Sequence, residues 1–122
     1  RLKELAAFRT SELNGCPYCT AFHGHNVRQM GYADPQYSAV RAPEKPAEGL
    51  FSDEELAVLA LADEMTRQVH AHPETLARIQ TLFGLDGTVE LMATIALLNF
   101  DNRMAFSAGT PPDTFPAQPS AD

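Results

Sequence analysis

Apolar residues fall at helical spacing along most of the chain. Leu2, Leu5, Ala6, Phe8 and Leu13 recur at helical intervals with Lys3, Glu4, Arg9 and Glu12 between them, a pattern that predicts an amphipathic helix from Leu2 to Leu13. A second helix is predicted from Pro17 to about Met30, with Phe22, Val27 and Met30 inward and Gly31 as its stop. Asp34 and Pro35 can open a short helical turn through Val40, and the stretch from Ala42 to Gly49, with its prolines, reads as loop. Ser52 followed three residues on by Glu55 is a capping box, opening a helix along Leu56, Leu59, Ala60, Asp63, Met65 and Val69. Pro73 begins a further segment through Leu76, Ile79 and Phe83 that Gly84 ends.

The last segment, Thr88 to Ala108, is apolar on most of its circumference: Leu91, Met92, Ile95, Ala96, Leu97, Leu98, Phe100, Met104 and Phe106 leave it little polar face. Such a helix is expected to be buried on nearly all sides. A chain of 122 residues can scarcely surround it, so part of this face is expected to meet another subunit. No convincing strand appears. The expected fold is an all-α bundle of about six helices forming one domain over residues 1–109, assembling through its apolar C-terminal helix. Residues 110–122, rich in proline, read as an extended arm or tail.

Charge narrows the partners. Lys and Arg number 9 against 16 Asp and Glu, a formal charge of -7, and the basic residues are scattered, which argues against nucleic acid and anionic membranes. No apolar run reaches the roughly 18 residues of a membrane span, and no signal-peptide pattern is visible, so a soluble, cytoplasmic protein is expected. The first residue is Arg1 rather than Met, so a preceding stretch is expected. In a reducing compartment two close cysteines are more often catalytic or metal-binding than a permanent staple.

Those two cysteines lie in Asn14-Gly15-Cys16-Pro17-Tyr18-Cys19, with His23 four residues beyond. Asn14 and Gly15 break the first helix, Cys16 occupies an N-cap position and Pro17 the first helical position. Cys16, Cys19 and His23 then share one helix face. Backbone N–H groups at a helix start favour a thiolate, most strongly at Cys16, while His23 one turn from Cys19 can take a thiol proton and Glu4 can orient the imidazole. Cys16, Cys19 and His23 could instead supply three zinc ligands, with His25 or the His70/His72 pair as the fourth. Tyr18 can wall the site or pack at an interface, and Glu12 competes with Glu4 as the acid. Asn99 and Arg103, polar groups on an apolar helix, need partners, and a structural network across a subunit boundary is expected, with Asp63 or Glu64 as candidate acceptors.

The spacing Glu4, Cys16, Cys19, His23, together with Arg9 to Gly15 before it, Phe51 to Glu55 and Asn99 to Arg103, resembles the alkyl hydroperoxidase D-like branch of the carboxymuconolactone decarboxylase family. The resemblance implies an all-helical domain in trimers or hexamers that reduces hydroperoxides at the expense of a dithiol or protein thiol, without metal or cofactor. It makes Cys19 the peroxide-attacking thiol and Cys16 the resolving one, with Glu4 and His23 as proton relay. Tyr18 stands where the best-known members carry a His. Three other readings are weighed beside this one: a non-catalytic redox sensor, a zinc-holding structural oligomer, and a carboxymuconolactone decarboxylase-like enzyme. Decarboxylating relatives lack the Cys pair, which favours redox work. Cys-Pro-Tyr-Cys also occurs in glutaredoxins, but there it follows a strand, and none is predicted here.

Overall fold

The first helix, α1 (Leu2–Asn14), is the centre of the molecule and not its amphipathic surface. Seven consecutive residues, Leu5 to Ser11, are buried. Small side chains at Ala6, Ala7, Thr10 and Ser11 let neighbouring backbones approach on every side. Arg9, expected on the polar face, is 1% exposed. Its charge is compensated where it lies: Nε donates to Asp63 at 2.6 Å, and Nη1 donates to the carbonyls of Val40 at 2.7 Å and Ala42 at 2.5 Å. A buried guanidinium is tolerated when its donors are all spoken for in this way.

The computed structural model describes residues 1–44 and 49–116. Within them α1 is followed by α2 (Pro17–Gln29), α3 (Asp34–Arg41), α4 (Asp53–Arg67) and α5 (Pro73–Ser107), with no strand among the described residues. The middle of the expected 42–49 loop and the end of the C-terminal tail lie outside the described residues. The Ser52 capping box is formed: Ser52 Oγ accepts the Glu55 N–H at 3.2 Å and Glu55 Oε2 accepts the Ser52 N–H at 2.9 Å. Val69, expected inside α4, lies beyond its end at φ 70° and is 87% exposed. The two segments expected on either side of Gly84 form one helical run, but Gly84 breaks it at φ 70°, ψ -177°, so α5 consists of two arms.

α4 and α5 pack on α1 around Ala6, Val58, Leu61, Ile79, Leu91 and Ile95. A second core joins α1 to α2 and α3 through Leu5, Phe8, Val27, Tyr32 and Val40. Each large aliphatic or aromatic side chain so buried contributes about 1.5–3 kcal/mol. α2 turns inward Cys19, Gly24 and Val27, whereas Phe22 and Met30, expected inside, are 38% and 42% exposed. Gly24 lets α2 approach closely: a Cβ there would stand 3.1 Å from the Phe8 ring and 3.0 Å from the Tyr37 hydroxyl, so one of them would have to shift.

α5 reverses the expectation of full burial. Thr88, Leu91, Ile95, Leu98 and Asn102 face the core, while Leu85, Val89, Leu97, Phe100, Met104 and Phe106 are each more than half exposed. This helix is long and apolar enough by composition to cross a membrane. Its inner side packs on α1 and α4 and carries the buried Thr88 and Asn102. Past Gly109 the chain folds back, and the Phe115 ring stacks on His25 of α2 at 4.2 Å between centroids.

Candidate active site

Gly15 closes α1 in the left-handed conformation at φ 66°, with its N–H on the Glu12 carbonyl and that of Cys16 on the Ser11 carbonyl. The chain therefore turns sharply and starts α2 against the end of α1. Cys16 is the N-cap, as expected, with Pro17 just inside, and its Sγ accepts the N–H of Cys19 at 3.4 Å. Both thiols are free and buried, Cys16 completely and Cys19 with 5% exposure.

Cys19 and His23 line one cavity of about 430 Å³ between α2 and the second arm of α5. Tyr18, Phe22, Leu98, Asp101, Met104 and Ala105 complete its wall. Tyr18 and Phe22 stack, and the Phe22 ring meets the His23 imidazole edge-on at 5.1 Å. On the far side of the imidazole, Nδ1 lies 2.8 Å from Glu4 Oε2, which also accepts from Asn26 Nδ2 at 3.3 Å. The hydrogen bond from His23 holds the Glu4 carboxyl below its ordinary range, more than offsetting its partial desolvation. An ionised carboxylate can only accept, so the ring proton belongs on Nδ1 and Nε2 is left as a proton acceptor. Glu12, the competing acid, lies elsewhere, paired with Arg41 at 3.1 Å, and burial pushes its carboxyl above the usual range. The four residues of the Glu-Cys-Cys-His spacing are thus linked, Glu4 to His23 and Cys16 to Cys19, and Tyr18 joins Cys19 and His23 at the cavity.

The thiol to be activated is not a ready-made thiolate. Burial pushes Cys19 up to about 11, assisted by its hydrogen bond with the Cys16 thiol; a hydrogen bond from Asn102 acts in the opposite direction, and Asp101 raises it slightly further. Asn102 is the residue sequence reasoning missed. It is 1% exposed, donates Nδ2 to Ser11 Oγ at 3.1 Å and accepts from Asn14 Nδ2 at 2.9 Å, which fixes its carboxamide beside the cysteines. The same Asn14 Nδ2 reaches Asn99 Oδ1 at 3.0 Å, and Asn99 donates to Thr66 Oγ1 at 3.1 Å. These are the partners Asn99 was expected to need, within one chain. Asp63 instead serves Arg9, and Glu64 caps α5 by accepting the His72 N–H at 2.8 Å. The polar run Asn99 to Arg103 on an apolar helix was the signal available in the sequence.

The remaining histidines lie apart from the thiols: His25 stacks on Phe115, and beyond α4 His70 is exposed and His72 half-buried beside Glu64. Among the described residues no three His, Cys, Asp or Glu side chains converge as a metal-binding group.

The class defined by fold and site is an all-helical protein with a Cys-x-x-Cys dithiol at a helix start and a Glu–His pair behind it. A model of the carboxymuconolactone decarboxylase family matches residues 1–64, just over half the chain and all four of those positions, and the chain belongs to that family. It is 27% identical over 109 residues to the uncharacterized protein YdfG of Bacillus subtilis (strain 168), covering 88% of this chain and 73% of YdfG. Its fold matches, with a TM-score of 0.83 at 20% identity, a crystal structure of a protein of unknown function from Agrobacterium tumefaciens described as a candidate antioxidant defence protein, AhpD. The match covers 94% of this chain and 79% of that one. The region beyond residue 64, including the α5 wall of the cavity, is covered by this likeness of fold.

Proposed function

We propose that the chain is a thiol-dependent peroxidase of peroxiredoxin-type activity, reducing hydroperoxides in the cytoplasm through a Cys16/Cys19 dithiol–disulfide cycle. The observation that carries this reading is the shared cavity of Cys19 and His23, with the imidazole backed at 2.8 Å by Glu4. Because Cys19 is a thiol at neutral pH, its proton moves to His23 Nε2 as sulfur attacks the outer peroxide oxygen. The S–O bond forms, the O–O bond breaks, and the alcohol leaves with a proton from the imidazolium. Cys19 is now a sulfenic acid. The Cys16 thiol attacks that sulfur, water leaves, and a disulfide remains for a dithiol or protein thiol to reduce. Tyr18 and Phe22 wall the entrance. Assembly into a trimer or hexamer through the exposed face of α5 belongs to the same reading.

Replacing Cys19 by Ser is expected to abolish hydroperoxide consumption with a supplied dithiol, and Cys16→Ser to consume one equivalent of hydroperoxide when no dithiol is supplied. Undiminished turnover in Cys19→Ser would overturn the reading. The high Cys19 thiol favours one rival, a redox-sensing disulfide that forms once and does not cycle. Many turnovers per subunit with excess dithiol exclude it.

A further inference from the structure

The wall of the cavity is mostly apolar. Tyr18, Phe22, Leu98, Met104 and Ala105 supply most of it, and no Lys or Arg contributes. His23 adds no net positive charge, since any imidazolium there faces the Glu4 carboxylate. One full charge remains on the wall, that of Asp101.

Asp101 is exposed, and among the described residues it enters no ion pair or side-chain hydrogen bond that would mask it. The nearest cation along α5, Arg103, is turned to the backbone carbonyl and Oδ1 of Asn99, both at 2.9 Å. A carboxylate beside an apolar cavity is screened less than one on an open surface, and the chain's formal charge of -7 adds to its sign.

We infer that Asp101 is a specificity-determining residue: it makes this cavity a site for uncharged hydroperoxides and uncharged dithiols, and turns away molecules that carry a carboxylate close to the reacting atoms. The identity of the substrate as a hydroperoxide rests on the function proposed above; the charge preference rests on the cavity alone. A molecule with a remote carboxylate, held outside the mouth, escapes the filter.

The test separates the two. In the wild-type chain and in Asp101→Asn and Asp101→Lys, Cys19 is alkylated with iodoacetamide or with iodoacetate at low ionic strength, and the Cys19 adduct is quantified apart from Cys16 by fragment mass spectrometry. Both reagents consume the same thiolate, so their rate ratio cancels any change in thiol ionisation. The iodoacetate-to-iodoacetamide ratio is expected to rise about three-fold in Asp101→Asn, further in Asp101→Lys, and to lose most of that gain in high salt. A ratio unchanged in both variants overturns the inference. Asp101 is exposed and, among the described residues, unpaired, so both variants are expected to fold with unfolding midpoints close to that of the wild type.

A second measurement compares turnover of an arylalkyl hydroperoxide with its ring-carboxylated analogue. Asp101→Asn is expected to raise kcat/KM for the carboxylated compound relative to the neutral one by a similar factor. If alkylation shows the filter while neither peroxide is consumed, the peroxidase reading falls and the charge filter stands. If both are consumed with a ratio that Asp101 does not move, the filter falls and the peroxidase stands.

Discussion

At the scale of single residues the informative group is Cys19. A thiol pushed up to about 11 by burial against a second thiol is about one part in ten thousand thiolate at pH 7. Its alkylation rate in the reduced protein is therefore expected to climb roughly tenfold per pH unit from neutrality, and to continue past pH 9, where an ordinary cysteine levels off. Stopped alkylation followed by mass spectrometry checks this, and a plateau near pH 7 would contradict it. The sign for stability follows from the same shift. The folded chain holds this proton more tightly than the unfolded chain, so its contribution is complete below about pH 9 and is lost as pH rises towards 11. Glu4 works at the other end: lowered in the fold, it contributes above its ordinary value near 4.5 and that contribution disappears as acid protonates it. Cys16, Cys19 and His23 were legible because their spacing encodes one face of a helix start, whereas Glu4 was singled out from Glu12 only by the family resemblance, since its contact with His23 joins two helices. Asn102 was not legible, because its role depends on Ser11 and Asn14 of a helix far away in the chain.

At the scale of elements, helix starts and stops were written plainly. Gly15, the Ser52 capping box and Pro73 at the first turn of α5 act through local geometry and needed no tertiary information. Gly84 is the sharpest case. Its φ of 70° with ψ of -177° belongs to a region that essentially only glycine occupies, and no atom lies within 4 Å of the place a Cβ would take. The cost of Gly84→Ala is thus conformational and not steric. We expect a loss of about 1–3 kcal/mol, read as a fall of several degrees in thermal unfolding or as a lower denaturant midpoint. An unchanged midpoint would mean that the two arms of α5 can join as one straight helix. What periodicity could not distinguish was inside from outside. α1 looks amphipathic yet lies at the centre, because Arg9 finds Asp63 and two carbonyls on other elements. α5 looks buried yet half of it faces outward, because a single chain has only α1, α4 and part of α2 with which to cover it.

At the scale of the whole molecule, that uncovered half of α5 is the strongest argument for assembly. Leu85, Val89, Ala96 and Phe100 recur at intervals of four, seven and four along its outer side, the spacing by which one helix packs along another, and Leu97 and Met104, seven apart, flank them. Phe100 and Leu97 are each 61% exposed in the isolated chain, an arrangement that monomeric soluble proteins rarely tolerate over several turns. Phe100→Glu places a charge on this outer side and, if a neighbouring copy covers it, leaves that charge without water. The wild-type chain is expected to sediment as a trimer or hexamer at micromolar concentration and Phe100→Glu as a monomer of unchanged helicity, since Phe100 contributes to neither internal core. A wild-type monomer across that range would refute the assembly and leave α5 with an exposed apolar face that the fold does not explain. The cavity gives the experiment a second readout. Met104, four residues on from Phe100, belongs both to the exposed face and to the cavity wall beside Cys19, so separating the copies is expected to speed alkylation of Cys19 by neutral reagents as its mouth opens to solvent.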